Sequence, residues 1–254
     1  MRDLAMHMVV AFALVVTRMA AFVVVSPFPP PSIPTQVRIG FTLALSLAAA
    51  PLAMGGKMPA VGLPLFVAAI GEIMTGSAIG FVFKVGMSAA DVLGQGIAHA
   101  SGLSMAASYD PTQGAQSDAV TRIFTTLSLL IAVSMGAHRS IIGAIVLSTK
   151  AVPVGAFLDV SVYTPGILGW LARSMEVGVG LALPAMTIAI VVQVALGLIA
   201  RTAPAHQIFS VGLSITIAAC FLVVMAGLRD ILSGLGAHLA RVVPMLEYLL
   251  ATGR

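Results

Sequence analysis

Residues 86–106 read GMSAADVLGQGIAHASGLSMA and run directly into a polar stretch, 104–122, that reads SMAASYDPTQGAQSDAVTR. Small residues recur at every fourth position of the first stretch: Gly86, Ala90, Gly94, Ala98, Gly102 and Ala106. Positions four apart share one face of a helix, so this spacing predicts a helix with a continuous small-residue ridge. Such a ridge lets another backbone approach closely, as in membrane helix packing. Gly76 and Gly80 set a shorter ridge just upstream. The polar stretch that follows is the working end of this helix, because a chain this apolar has little use for such a loop as a solubility device.

The composition sets the environment. Of 254 residues, 59% are hydrophobic and 9% charged, and the mean hydropathy is +1.07. Soluble domains carry about 25% charged residues. Residues 177–200 and 208–228 contain no Asp, Glu, Lys or Arg, and each run ends just before an arginine, Arg201 and Arg229. Uncharged runs of about 20 residues are long enough to cross a bilayer as helices. The expectation is an integral membrane protein, or one whose apolar surface is covered by partners and lipid.

Other features exclude several classes. A single cysteine, Cys220, precludes an intrachain disulfide and makes a thiolate metal cluster implausible. The formal net charge of +4 comes from dispersed Lys and Arg residues, with no cluster of the kind that binds nucleic acid. The N-terminus has a superficial signal-peptide look. The apolar run continues past Arg18 to Val25 with no small-residue cleavage pattern before Pro27, so it reads as a retained first helix.

Along the chain, a first helix is expected over about 4–25, ended by the proline-rich 26–34. A second covers about 39–54 and a third 60–83, which can continue through Lys84 into a helix over 85–108. Residues 123–137 are apolar but short, and His138-Arg139 interrupts them before 141–148, which suggests a bent or re-entrant pair. A loop over 153–165 precedes 167–200, then 208–228. The tail spaces Leu232, Leu235, Leu239, Val242, Val243 and Leu246 as an amphipathic helix. The expected fold is all-α: a polytopic membrane-type helical protein with six or seven apolar segments, some short or re-entrant, forming a single domain over 1–254.

Charges within apolar helices are costly and demand a reason. Arg18, Glu72, Lys84 and Asp91 are the candidates for buried polar or charged sites. Interhelical or intersubunit pairing is favoured over an ion pathway, although a secondary transporter coupled through Glu72, Lys84 and Asp91 stands as the alternative function. Enzyme patterns fail. Gly102-Leu-Ser104 and Tyr109-Asp110 lack the partners of an intramembrane serine or aspartyl hydrolase. His7, His99, His138, His206 and His238 lack zinc-ligand spacing, and no phosphate-cradling loop is present. No catalytic residue, metal or cofactor is expected.

Taken in order, Glu72-x-x-x-Gly76-x-x-x-Gly80-Phe81, Gly102-Leu-Ser104, Tyr109-Asp-Pro111 and Gly114-x-Gln116 resemble the flagellar biosynthetic protein FliR family. Upstream, Arg18, Pro27, Pro34 and Val37-Arg38 fit the same pattern. Downstream, Gly136-x-His138, Gly197-Leu198, Arg201, Pro204 and Ile208-Phe209-x-x-Gly212 continue it. The resemblance covers residues 15–215. It departs at Ala205, His206 and Gln207, and at Ser214, where the family commonly has other residues.

The resemblance implies a subunit of the flagellar type III export gate in the bacterial inner membrane, at the flagellar basal body. It implies assembly with FliP and FliQ into a multi-subunit helical funnel, with FlhB nearby, for the passage of unfolded flagellar export substrates. The related branch is the injectisome SctT proteins; Tyr109-Asp-Pro111 with Gly114 and Gln116 favours the flagellar one. The family's plug loop then corresponds to 105–122, with Met105, Ser108, Tyr109, Asp110, Pro111, Gly114, Gln116 and Arg122 as its candidate gating residues. Its start carries Met105, Ser108 and Tyr109 where the family often has bulky aromatics.

Overall fold

A computed structural model of the chain describes residues 2–30, 32–53, 59, 62–103, 119–156, 160–200 and 208–252. Among these the regular structure is helical, with no strand. The helices are α1 (Arg2–Val25), α2 (Thr35–Ala53), α3 (Leu63–Ser101), α4 (Ala119–Ser134), α5 (Ala137–Ala151), α6 (Val160–Ala200), α7 (Ile208–Ala226), α8 (Leu228–Leu239) and α9 (Val242–Thr252).

Four helical segments are long and apolar enough to cross a bilayer: Met6–Val25, Thr35–Ala53, Leu63–Ser101 and Thr164–Ala200. Two bent pairs, α4 with α5 and α7 with the helices after it, would bring the number to six. Only 17% of the apolar window in Thr164–Ala200 is buried within this chain, against 44% in α3. Val179, Leu183, Ile190, Val194 and Leu198 on α6 are exposed. Side chains of that kind need lipid or another subunit as their solvent.

The segments expected around 60–83 and 85–108, with continuation through Lys84 allowed, are one helix, α3, of 39 residues. At 1.5 Å per residue it is about 58 Å long, nearly twice the hydrocarbon core of about 30 Å. Lys84 does not interrupt it because a helix keeps its own backbone bonded and needs only a route outward for the ammonium. Pro64 sits in its first turn, where the missing N–H costs nothing. The break between α4 and α5 lies at Gly136, whose φ of 76° is left-handed. His138 and Arg139 fall in the first turn of α5, so a glycine conformation and not the charge ends α4. Helix α6 begins at Val160 and takes in Pro165, part of the expected loop.

The residues group into two compact units. The first comprises 1–86, 133–171 and 240–254. In it α1 packs on α2, and α2 and α9 pack on α5. Met19, Phe22, Val82 and Phe83 are buried there. Trp170 donates its indole N–H to the Val82 carbonyl at 3.0 Å, giving a buried ring a partner for its polar atom.

The second unit comprises 87–132 and 172–239. Its core joins Ala89, Leu93 and Ile97 of α3, Phe124 of α4, Ala182 of α6, and Ile231 and Leu235 of α8. The amphipathic tail resolves into α8 and α9. Ile231, Leu235, His238 and Leu239 form the buried face of α8, and His238 meets Ser174 at 3.1 Å.

Candidate functional site

The first candidate site is the buried charge cluster of the first unit. Helices α1 and α3 come together where Gly76 and Gly80 offer no side chain. A Cβ on Gly76 would overlap the Arg18 carbonyl, and one on Gly80 would stand 3.0 Å from the Phe22 carbonyl. This approach brings Arg18 over Glu72, one turn before Gly76.

Arg18 and Glu72 are both fully buried. The Arg18 Nε donates to Glu72 Oε2 and Nη2 to Oε1, the latter at 3.0 Å. Such a fork-on-carboxylate pair is the strong geometry for arginine. Arg18 Nη1 also donates to Ser148 Oγ at 3.3 Å, and Nη2 to the Val152 carbonyl at 3.0 Å. The Gly155 N–H donates to Glu72 Oε1 at 2.8 Å. Gly155 can turn there because its φ is 86°. One arginine and one glutamate thus join α1 and α3 to the end of α5 and the turn after it.

That geometry accounts for two of the four charges singled out from the sequence. Glu72 has both carboxylate oxygens occupied inside the fold. Lys84 is exposed and Asp91 only partly buried on this chain, so neither shares the enclosure of Arg18 and Glu72. Nothing in this arrangement supports an ion-coupled transporter built on Glu72, Lys84 and Asp91. Among the described residues no three His, Cys, Asp or Glu side chains are grouped to hold a metal ion.

The second candidate site is the frame of the polar loop, in the second unit. Helix α3 ends at Ser101, and Gly102 follows with a φ of 80° and its N–H bonded to the His99 carbonyl. A left-handed glycine after the last turn is the usual way to stop a helix. A Cβ on Gly102 would stand 2.7 Å from Leu213 Cδ1 of α7. Gln193 of α6 donates to the Ala100 carbonyl at 3.4 Å, occupying one of the end carbonyls of α3.

The far end of the loop is fixed as closely. A Cβ on Gly94 would stand 2.5 Å from Thr121 Cα, in the first turn of α4. The chain therefore leaves α3 at Gly102 and is back beside the same helix two turns earlier. Ala90 and Ala98 are fully buried on the same ridge, while Gly86, in the first unit, faces Val242 and Trp170. Arg122 is exposed. Met105, Ser108, Tyr109, Asp110, Pro111, Gly114 and Gln116, with Ala106 of the ridge, lie outside the described residues.

One close approach was not singled out from the sequence. A Cβ on Gly178 of α6 would stand 2.6 Å from the Ala89 carbonyl, and one on Gly96 would stand 3.0 Å from Ala182 Cβ. The signal was available: Gly178, Ala182, Ala185 and Ala189 keep a helical spacing of small residues. A second face of α3 thus carries its own seam, toward α6.

Residues 9–242 match the family described as bacterial export proteins, family 1. The chain is similar to the flagellar biosynthetic protein FliR of Caulobacter vibrioides, 34% identical over 208 residues, or 78% of this chain and 80% of that protein. It is 28% identical to the protein of that name from Escherichia coli over 215 residues, 82% and 79% of the two chains. To that from Bacillus subtilis it is 29% identical over 223 residues, 85% of each. With 234 residues inside the matched span and an all-helical, apolar architecture, the chain belongs to the FliR family of bacterial export proteins and is a membrane component of an export apparatus.

Proposed function

We infer that this chain is a non-catalytic subunit of the flagellar type III export gate, that it lines part of a protein-conducting channel, and that residues 105–122 close it. The observation that carries the reading is the fixed frame of that loop. Thr121 is set against Gly94 backbone to backbone, with no room for a side chain at Gly94, and Gly102 ends α3 in a left-handed turn beside the Leu213 side chain. A polar segment with both ends locked to packed helices can be displaced and return without disturbing its frame. Export requires such a gate, because an open pore wide enough for a chain would leak small solutes.

The thinly covered surface of α6 supports assembly with other subunits. FliP and FliQ are the proposed partners, with FlhB adjacent and unfolded flagellar proteins as cargo. The proposed place is the inner membrane at the flagellar basal body, with residues 1–254 acting as one functional domain. The test is affinity purification of the tagged chain from mildly solubilised membranes, followed by mass identification. Recovery of a large complex containing FliP and FliQ is expected. Recovery of a monomer or homodimer alone would overturn the reading.

A further inference from the structure

In the second unit, the exposed residues of α3 over 87–100 are polar. Gln95 and His99 are exposed and Ser88 and Asp91 half-buried. At about 100° per residue the four fall within a sector of about 80°. The other sides of the helix are taken. Ala89, Leu93 and Ile97 lie in the core, Gly94 meets Thr121 of α4, and Gly96 meets Ala182 of α6. We propose that this polar stripe faces the export passage and is a surface over which unfolded polypeptide moves, with Gln95 and His99 hydrogen-bonding its backbone. The proposal rests on the channel reading above and adds the residues that meet cargo.

Three observations select this occupant. The first is a contrast within the unit. Helix α6 exposes Val179, Leu183, Ile190, Val194 and Leu198, which suit hydrocarbon or an apolar partner. A carboxamide or imidazole pressed into that medium costs about 1–3 kcal/mol for each group left unpaired. The two exposed surfaces of this unit therefore face different surroundings, and that of α3 is polar.

The second is continuity. The stripe runs to the last turn of α3, just before the polar segment 104–122 leaves the helix. There the exposed Gln193 of α6, donating to the Ala100 carbonyl at 3.4 Å, adds a second carboxamide. Polar side chains thus adjoin the frame of the segment assigned to close the channel.

The third is complementarity to a peptide backbone. A carboxamide and a neutral imidazole each carry a donor and an acceptor, as does every peptide unit outside proline. Gln95 and His99 are one turn apart, about 6 Å along the helix. Alternate residues of an extended chain are about 6.8 Å apart. Such groups engage cargo of any sequence, and each bond, at about 1 kcal/mol in exchange with water, is weak enough to let the chain advance.

Photo-crosslinking in the assembled complex tests the assignment, using an export substrate stalled by a tightly folded domain fused to it. A crosslinking residue replacing Gln95 should capture the stalled cargo, and one replacing Leu183 on α6 should not. Capture of cargo from position 108 but not from 95 would overturn the proposal and leave the channel reading standing. So would an adduct from 95 to another subunit or to lipid in place of cargo, or equal capture of cargo from 95 and 183. Capture of cargo from neither 95 nor 108 would overturn both readings. The double variant Gln95→Leu, His99→Leu should assemble normally and secrete about fivefold more slowly, the effect of one lost hydrogen bond. Unchanged secretion would overturn the proposal. Loss of assembly in that variant would assign the stripe to a subunit contact and overturn it as well.

Discussion

The Arg18 guanidinium in α1 and the Glu72 carboxylate in α3, 54 residues apart in sequence, share two hydrogen bonds in a fully buried pair. The arginine also reaches Ser148 and Val152, and the glutamate reaches the Gly155 N–H. Breaking the pair strands a charge where nothing can solvate it. Glu72→Leu or Arg18→Met alone should destabilise the chain by about 3–5 kcal/mol. The double variant should recover much of that loss, because it removes both desolvation costs. Thermal unfolding in detergent distinguishes the cases. Additive losses in the double variant would mean that the two side chains act independently.

Glycine at 76 is a requirement of contact. Gly76→Ala should separate α1 from α3 and lower thermal stability sharply, because the added methyl overlaps the Arg18 carbonyl backbone. Gly40→Ala and Gly143→Ala meet nothing within 4 Å. Those two changes should stabilise their helices by about 0.5–1 kcal/mol. Equal effects at positions 76 and 40 would remove the close-approach argument.

Thr121 gives a sharper local test. Its hydroxyl is buried with no hydrogen-bond partner among the described residues. Thr121→Val keeps the shape and removes an unsatisfied polar atom, so stability should hold or rise by about 1 kcal/mol. Gly94→Ala pushes a methyl onto the Thr121 backbone and should destabilise. Denaturation curves of the two variants should move in opposite directions. A loss in Thr121→Val would show that the hydroxyl has a partner in the assembled state.

Much of this architecture is legible in the sequence because apolar runs and prolines mark helices directly. The chain over 60–108 is harder, since the positive charge of Lys84 resembles a boundary. A helix carries such a side chain without losing a backbone bond, and α3 runs through it. His138-Arg139 misleads in the same way: polar residues attract notice, yet the left-handed Gly136 makes the break. Arg18 and Glu72 stand out as charges in apolar helices, but their pairing depends on a crossing that only the packed glycines define. Gly178 escapes because its seam is completed by alanines, which are common throughout the chain.

Trp170 is the only tryptophan and reports on the first unit. Buried and bonded to the Val82 carbonyl, it should show blue-shifted emission and resist aqueous quenchers. Trp170→Phe should cost about 1 kcal/mol through the lost hydrogen bond. Ready quenching by iodide in the native chain would contradict this placement.

The central claim is that residues 105–122 close an export channel, and solute permeability tests it most directly. Cells carrying a deletion of 105–116, with α4 and its Thr121 contact retained, should assemble the complex and become leaky to small ions and sugars. A deletion strain that assembles the complex, stays ion-tight and exports normally would contradict the account.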